Sequence, residues 1–230
     1  MEIIEEYKMH DRMFIAVDCI IFGFDGKDLK ILLIKRGFEP GLGKWSLMGG
    51  FVTARESAEE GASRILEDLT GLANIYMKQL YGFTDVHRDP GARVVSIAYF
   101  ALIKIDSYSS DLMKLHNASW FDVKKIPSMI FDHKKMIEMA KERLAEKVAT
   151  HPIGFELLPE KFTLAQLQSL YEAIYETSFD KRNFLRKILS LSILIKLNEK
   201  QKLFSRKGSF LYRFDFEKCK RLEKEGVKFV

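Results

Sequence analysis

Cysteine is nearly missing from this chain: Cys19 and Cys219 are the two in 230 residues, one inside an apolar run and one near the far end. Thiols so few and so far apart build no disulfide framework and point to a reducing compartment. No apolar run approaches the roughly 18 residues that cross a bilayer. The opening residues, MEIIEEYKMHDR, are acidic and lack the basic-then-apolar order of a secretory signal. Internal repeats and low-complexity segments are absent too. What these absences leave is a cytoplasmic globular protein with no membrane partner.

Hydrophobic residues make up 47% of the chain, including 18 Phe, enough for a packed core in one large domain or two ordinary ones. The charge is unevenly spread. Residues 1–150 carry 21 basic and 22 acidic side chains, net −1, whereas 151–230 carry 16 and 10, net +6. Between 181 and 213 ten basic residues face one acid, Glu199. A basic excess this local suits nucleic acid, the bland alternative being a solvated lysine-rich surface.

Hydrophobic patterning predicts strands over Phe14–Phe24 and Leu29–Lys35, joined by the turn Asp25-Gly26-Lys27-Asp28. Arg36–Lys44, with three glycines and a proline, reads as a loop, and Trp45–Val52 as a short strand running into Gly49-Gly50. A helix is expected over Ser57–Thr70, then strands over Ile75–Phe83, Val94–Ile105 and Asn117–Val123, with the polar loop Thr84–Arg93 between the first two. A helix over Phe131–Ala149 follows, with Asp132 as N-cap. This mixture over about 150 residues indicates an α/β sandwich. His151–Lys161, with two prolines and a glycine, reads as a linker dividing domains 1–150 and 151–230.

After the linker, Thr163 and Gln166 stand at capping-box spacing before an apolar helical stripe. Asp180 caps a second helix over Lys181–Leu191. Phe184, Leu185, Ile188 and Leu189 form one face of it, and Lys181, Arg182, Asn183, Arg186 and Lys187 the other. Two strands, Ile193–Leu197 and Phe210–Phe214, are joined by a basic turn holding Lys202, Arg206 and Lys207. Helix, turn, basic helix and basic hairpin is the order of a winged helix-turn-helix. Arg and Asn suit bidentate readout of G and A, and the wing cations suit phosphates.

The stretch that organises the rest is Gly50–Leu72, GFVTARESAEEGASRILEDLTGL. Its glycines, Glu56, Arg64 and Gly71 stand in the register of the Nudix box, which it resembles. That box carries Glu after the arginine and a Glu pair further on. Here those places hold Ile65, Asp68 and Leu69. Positions i, i+3 and i+4 share a helix face, so the three carboxylates of a hard-cation site are reduced to one between two apolar side chains. Ile65 and Leu69 read equally well as core residues.

Tyr81–Leu102 and Phe162–Leu189 extend the resemblance to the Nudix-related transcriptional regulators, over about Phe14–Phe214. That resemblance implies a Nudix-like α/β/α sandwich that senses a small molecule, followed by a winged helix that binds operator DNA, in a homodimer. It implies a repressor; Ile65 and Leu69 in place of two metal carboxylates lead us to expect poor or no hydrolase activity, and no cofactor is expected. The effector expected is L-arabinose, from likeness to the arabinose-responsive branch, with ADP-ribose and NAD metabolism as runner-up and an active pyrophosphohydrolase as a further alternative. Candidate effector contacts are Asp18, Arg36, Gly49, Gly50, Phe51, His87, Arg88, Asp89 and Arg93. Asp18 inside an apolar strand needs a partner, either a sugar hydroxyl or a structural hydrogen bond; Arg36 is a phosphate contact or a surface charge. Candidate DNA contacts are Thr163, Gln166, Lys181, Arg182, Asn183, Arg186, Lys187, Lys202, Arg206 and Lys207.

Overall fold

The computed structural model describes residues 4–73, 75–107, 110–150, 154–201 and 208–227. A short helix α1 (Glu5–Lys8) precedes β1 (Phe14–Phe24) and β2 (Leu29–Lys35). Their hairpin turn is closed by the Asp25 carboxylate, which accepts from the N–H groups of Lys27 and Asp28. β3 (Trp45–Ser46) and β4 (Met48–Phe51) lead into helix α2 (Ala58–Thr70). β5 (Tyr76–Phe83), β6 (Val94–Leu102), α3 (Ser110–Leu115), β7 (Ala118–Asp122) and α4 (His133–Thr150) complete this part. The expected strand through Ile105 stops at Leu102, and Ile105–Ser107 forms a 3-10 turn.

The sheet runs β3-β2-β1-β6-β5, with β4 also on β1 and β7 also on β2. β1 pairs in parallel with β6 along its length. On its other edge it pairs first with β4, from Ala16 to Cys19, and then with β2, from Ile21 to Phe24. From Val17 onward the strand is buried on both faces, which explains why it reads as an apolar run with Asp18 as its one charged residue. Its side chains alternate: Val17, Cys19 and Ile21 meet α2, while Ile20, Phe22 and Phe24 belong to the core that includes α4. The same alternation puts Asp18 on the α4 side.

α5 (Gly154–Leu157), β8 (Phe162–Thr163), α6 (Leu164–Tyr175), α7 (Lys181–Ser190), β9 (Leu194–Gln201), β10 (Ser209–Phe214) and α8 (Phe216–Lys224) form the C-terminal part. Its three strands run β8-β10-β9. α6 is closed at its start by the Thr163–Gln166 capping box and at its end by Glu176 in the left-handed conformation, φ 52°. Phe184 and Ile188 of α7 are buried, and Lys181, Arg182, Asn183, Arg186 and Lys187 are exposed.

The expected linker is not a free tether. Leu157 and Leu158 are 2% and 1% exposed and lie in one apolar core with Phe100, Ile137 and Leu144 on one side and Phe162, Leu167 and Tyr171 on the other. Apolar residues among the prolines gain more from burial than a solvated spacer would, at roughly 1.5–3 kcal/mol per large side chain. α4 also packs on α6: the Tyr175 hydroxyl donates to Ala145 O at 3.1 Å, and Lys141 forms an ion pair with Glu176.

Among the described residues no helix is long and apolar enough to cross a membrane, and both cysteines are buried and free.

Candidate effector pocket and nucleic-acid interface

A pocket opens where the first half of β1, the β4 edge, the loop after β2 and the start of α4 converge. Ala16, Asp18, Arg36, Phe38, Ser46, Gly49, Gly50, Phe51, Arg88, Asp89, Phe131 and His133 are among its lining residues. Its floor is a buried charge cluster. Arg88, carried in by the β5–β6 loop, forks onto Asp132, its Nε at 3.1 Å and a terminal nitrogen at 2.9 Å. That nitrogen also reaches Asp18 at 3.4 Å. Burial works against the Arg88 charge, but the hydrogen bonds to Asp132 and the fields of both aspartates outweigh it, and its pKa is raised. Ser96 Oγ donates to Asp18 at 2.6 Å.

His133 completes the floor. The Leu47 N–H donates to its Nδ1 at 3.1 Å, which assigns the ring proton to Nε2, 3.6 Å from Asp18. Burial holds this imidazole below its ordinary pKa. Phe131, just before α4, takes a left-handed conformation, φ 47°, rare for a bulky residue, and its ring packs edge-on to His133 at 5.7 Å.

The two glycines of the box have separate reasons. A Cβ on Gly49 would meet Asp18 Oδ1 at 2.5 Å and Val17 O at 2.6 Å; one on Gly50 would meet Ile65 Cδ1 at 2.9 Å. The strand thus lies hard against Asp18 on one side and the box helix on the other. Gly71 ends that helix in the left-handed conformation, φ 69°. Arg64 holds the box together. It forks onto Glu56 at 2.7 and 2.9 Å and donates to Phe51 O at 3.3 Å. The Arg64 guanidinium, helped by the Thr53 N–H, pulls the Glu56 carboxyl down to about 2.

The helix face expected to hold metal in a Nudix enzyme has a different content here. Ile65 is 5% exposed and sits in the core on the α2 side of the sheet, with Leu69 packed against that core. Asp68 points to solvent, 3.8 Å from Arg64. Among the described residues no three His, Cys, Asp or Glu side chains gather as a metal site. The residues present do not fit a divalent cation on this face.

Of the expected effector residues, Asp18, Arg36, Gly49, Gly50, Phe51, Arg88 and Asp89 all line the pocket. His87 and Arg93 do not. His87 is exposed, with its N–H given to the Asp85 carboxylate, and the Arg93 guanidinium donates to Thr84 O and Asp85 O, so both shape the loop that delivers Arg88. Asp132 serves Arg88 with its carboxylate. His133, Ser46, Ser96, Phe38 and Phe131 escaped the sequence reading. The two serines had a legible signal, being polar interruptions in apolar strands; His133 had none, because its partners lie 86 and 115 residues away in sequence.

On the basic side, Asp180 caps α7 by accepting from Asn183 N, and Arg186 donates to the Asn183 side chain at 2.9 Å. Arg182, Asn183 and Arg186 therefore stand together at the exposed start of the second helix. Thr163 and Gln166 fall elsewhere. Thr163 is 5% exposed, and both side chains are consumed in the cap of α6, Gln166 lining a second cavity with Asp25, Lys104 and Pro159. Lys202, Arg206 and Lys207 lie outside the described residues. Lys196 and Lys200 stand over the Phe210 ring at 3.7 and 4.5 Å and make the wing hairpin basic where it is described.

Comparison with known proteins follows this division. Residues 13–140 match the NUDIX domain and residues 154–214 the NrtR DNA-binding winged helix domain. The chain is 30% identical over 203 residues, 86% of its length and 81% of the relative's, to a protein of Acinetobacter baylyi named ADPR responsive transcriptional repressor NtrR. It is 35% identical over 136 residues, 59% of its length and 77% of the relative's, to a Methanocaldococcus jannaschii ADP-ribose pyrophosphatase. Shewanella oneidensis NrtR complexed with a 27mer DNA has the same fold, with TM-score 0.78, 28% identity and coverage of 94% of this chain and 97% of that one. The NUDIX domain of that protein complexed with ADP ribose matches with TM-score 0.50 and 31% identity, covering 62% and 99%. None of these relatives is named for a sugar effector, so the arabinose-responsive branch gains no support.

Proposed function

Because this chain belongs to the Nudix family and carries the NrtR winged helix domain after its Nudix domain, we propose that it is a transcriptional repressor released from operator DNA by ADP-ribose. The choice of effector moves from L-arabinose to the former runner-up on one observation. The relative matched along most of the chain is a repressor named for its response to ADPR. A ligand with a diphosphate and two riboses also suits a pocket that offers arginine, buried carboxylate and exposed aromatic rings together.

The coupling route is α4. The helix is 18 residues long, about 27 Å at 1.5 Å per residue. It begins at His133 in the pocket floor and two to three turns later meets α6 through Lys141 and Ala145. α6 in turn packs on α7 through Tyr171 and Phe184, ring centroids 5.5 Å apart. A ligand that shifts Asp132 and His133 therefore moves the support of the recognition helix. The effector acts only through its differential affinity for the two arrangements. In a homodimer on a palindromic operator, two such helices must sit about one DNA turn apart, so a small tilt of each breaks register.

The test is operator binding by the full chain, read by fluorescence anisotropy with ADP-ribose or L-arabinose present. ADP-ribose is expected to weaken binding at least about tenfold, within the usual 1–3 kcal/mol of allosteric coupling, and arabinose to do nothing. Release by arabinose alone would refute the choice. The pyrophosphatase relative keeps a second reading alive, hydrolysis of ADP-ribose. We expect turnover with Mg²⁺ or Mn²⁺ far under roughly 1 s⁻¹, since Ile65 and Leu69 stand where carboxylates are needed.

A further inference from the structure

The pocket holds two arginines in opposite situations. Arg88 is 3% exposed at its side chain and committed to Asp18 and Asp132. One cation against two carboxylates leaves that floor net negative, a poor place for a diphosphate. Arg36 lies at the rim, half-buried, its guanidinium 3.9 Å from the Phe38 ring and 5.5 Å from the Phe131 ring. Its Nε is buried without a hydrogen-bond partner, and no ion pair of Arg36 occurs among the described residues. The neighbouring carboxylate of Glu39 is already used by the N–H groups of Gly41 and Leu42. A desolvated donor left unmet is costly, and a guanidinium steadied on aromatic faces is pre-organised to fork onto an oxyanion.

Size agrees with charge. The pocket volume is about 100 Å³, well under the roughly 300–1,000 Å³ of a cleft that buries a whole small-molecule ligand. Most of a dinucleotide-sized ligand must lie across the mouth, where Arg36 and the exposed Phe38 and Phe51 are found.

Resting on the ADP-ribose reading above, we infer that Arg36 is the residue that grips the effector's diphosphate, while the Asp18–Arg88–Asp132 floor receives ribose hydroxyls and takes no part in binding the anion. Arg36 sets specificity for phosphorylated over neutral ligands; Arg88 holds the floor together.

Calorimetric titration of the full chain with ADP-ribose and, separately, inorganic pyrophosphate tests this on wild type, Arg36→Met and Arg36→Gln. Met keeps an apolar stem on the rings and removes the charge; Gln is the second variant if Met disturbs folding. Either should weaken ADP-ribose by roughly 10- to 150-fold, the range for a hydrogen bond to a charged group, and abolish pyrophosphate binding. Variants folded as wild type that bind ADP-ribose within threefold of it would overturn the assignment. A wild type that ignores ADP-ribose defeats the effector reading, and the pyrophosphate arm then judges Arg36 alone. Pyrophosphate binding lost in the variants upholds its role, and none by wild type overturns it.

Discussion

Replacing Arg88 by Met should be among the most destabilising single changes available in the sensor domain. The side chain is nearly isosteric along its stem, so little packing is lost. What is lost is the cation between Asp18 and Asp132, whose side chains are 11% and 20% exposed. Breaking a buried ion pair by removing one partner costs about 3–5 kcal/mol, because the survivor stays buried and unpaired. Asp132 rehydrates in part, and Asp18 keeps the Ser96 hydroxyl, so the lower end, about 3–4 kcal/mol, is the better expectation. For a chain of this size each kcal/mol moves the melting temperature by about 2–4 °C, giving a drop of roughly 6–16 °C. Scanning calorimetry should read it in a single transition, since one apolar core runs through both parts of the chain. The double variant Asp18→Asn/Arg88→Met removes the orphaned charge and should recover more than half of the loss. A melting temperature within about 2 °C of wild type in Arg88→Met would show that the cluster contributes little and that Arg88 is free to serve as a ligand contact.

Arg182→Ala, at the exposed start of α7, should weaken operator binding by about 1–3 kcal/mol and leave binding to scrambled duplex nearly unchanged; equal losses on both would move base readout elsewhere. The stability of the protein should fall on acidification in a way that depends on His133. Burial depresses its pKa in the folded state, so below about pH 6.5 the unfolded chain takes up a proton that the native one refuses. The melting temperature should therefore drop more between pH 7 and pH 5.5 in wild type than in His133→Gln, and parallel slopes would count against a neutral native imidazole.

The sequence alone determined most elements whose identity depends on local chemistry, although it did not mark α1, α3 or α8, the last despite its Asp215 cap. Apolar, β-branched runs marked β1, β2 and β6, and Gly71 marked the end of the box helix. The Thr163–Gln166 and Asp180 caps marked two helix starts that the structure reproduces. The basic polar face of α7 was legible for the same reason: helical spacing is a property of neighbours three and four residues apart. The replacement of carboxylates by Ile65 and Leu69 was visible as residue type, but only the tertiary structure gave it a cause, Ile65 lying under Gly50 in the core.

Tertiary structure also decided everything that rests on partners far apart in the chain. Thr84–Arg93 reads as one polar loop, yet Arg88 turns inward to two aspartates 44 and 70 residues away, while His87 and Arg93 stay out to shape the loop. The residues His151–Lys161 look like a spacer by composition, but Leu157 and Leu158 find apolar surface on both sides and fuse the two parts into one core. No periodicity records that α4 starts in the pocket and ends on α6. Its sequence specifies an amphipathic helix; what each end touches is set by the sheet and the winged helix between which it is held.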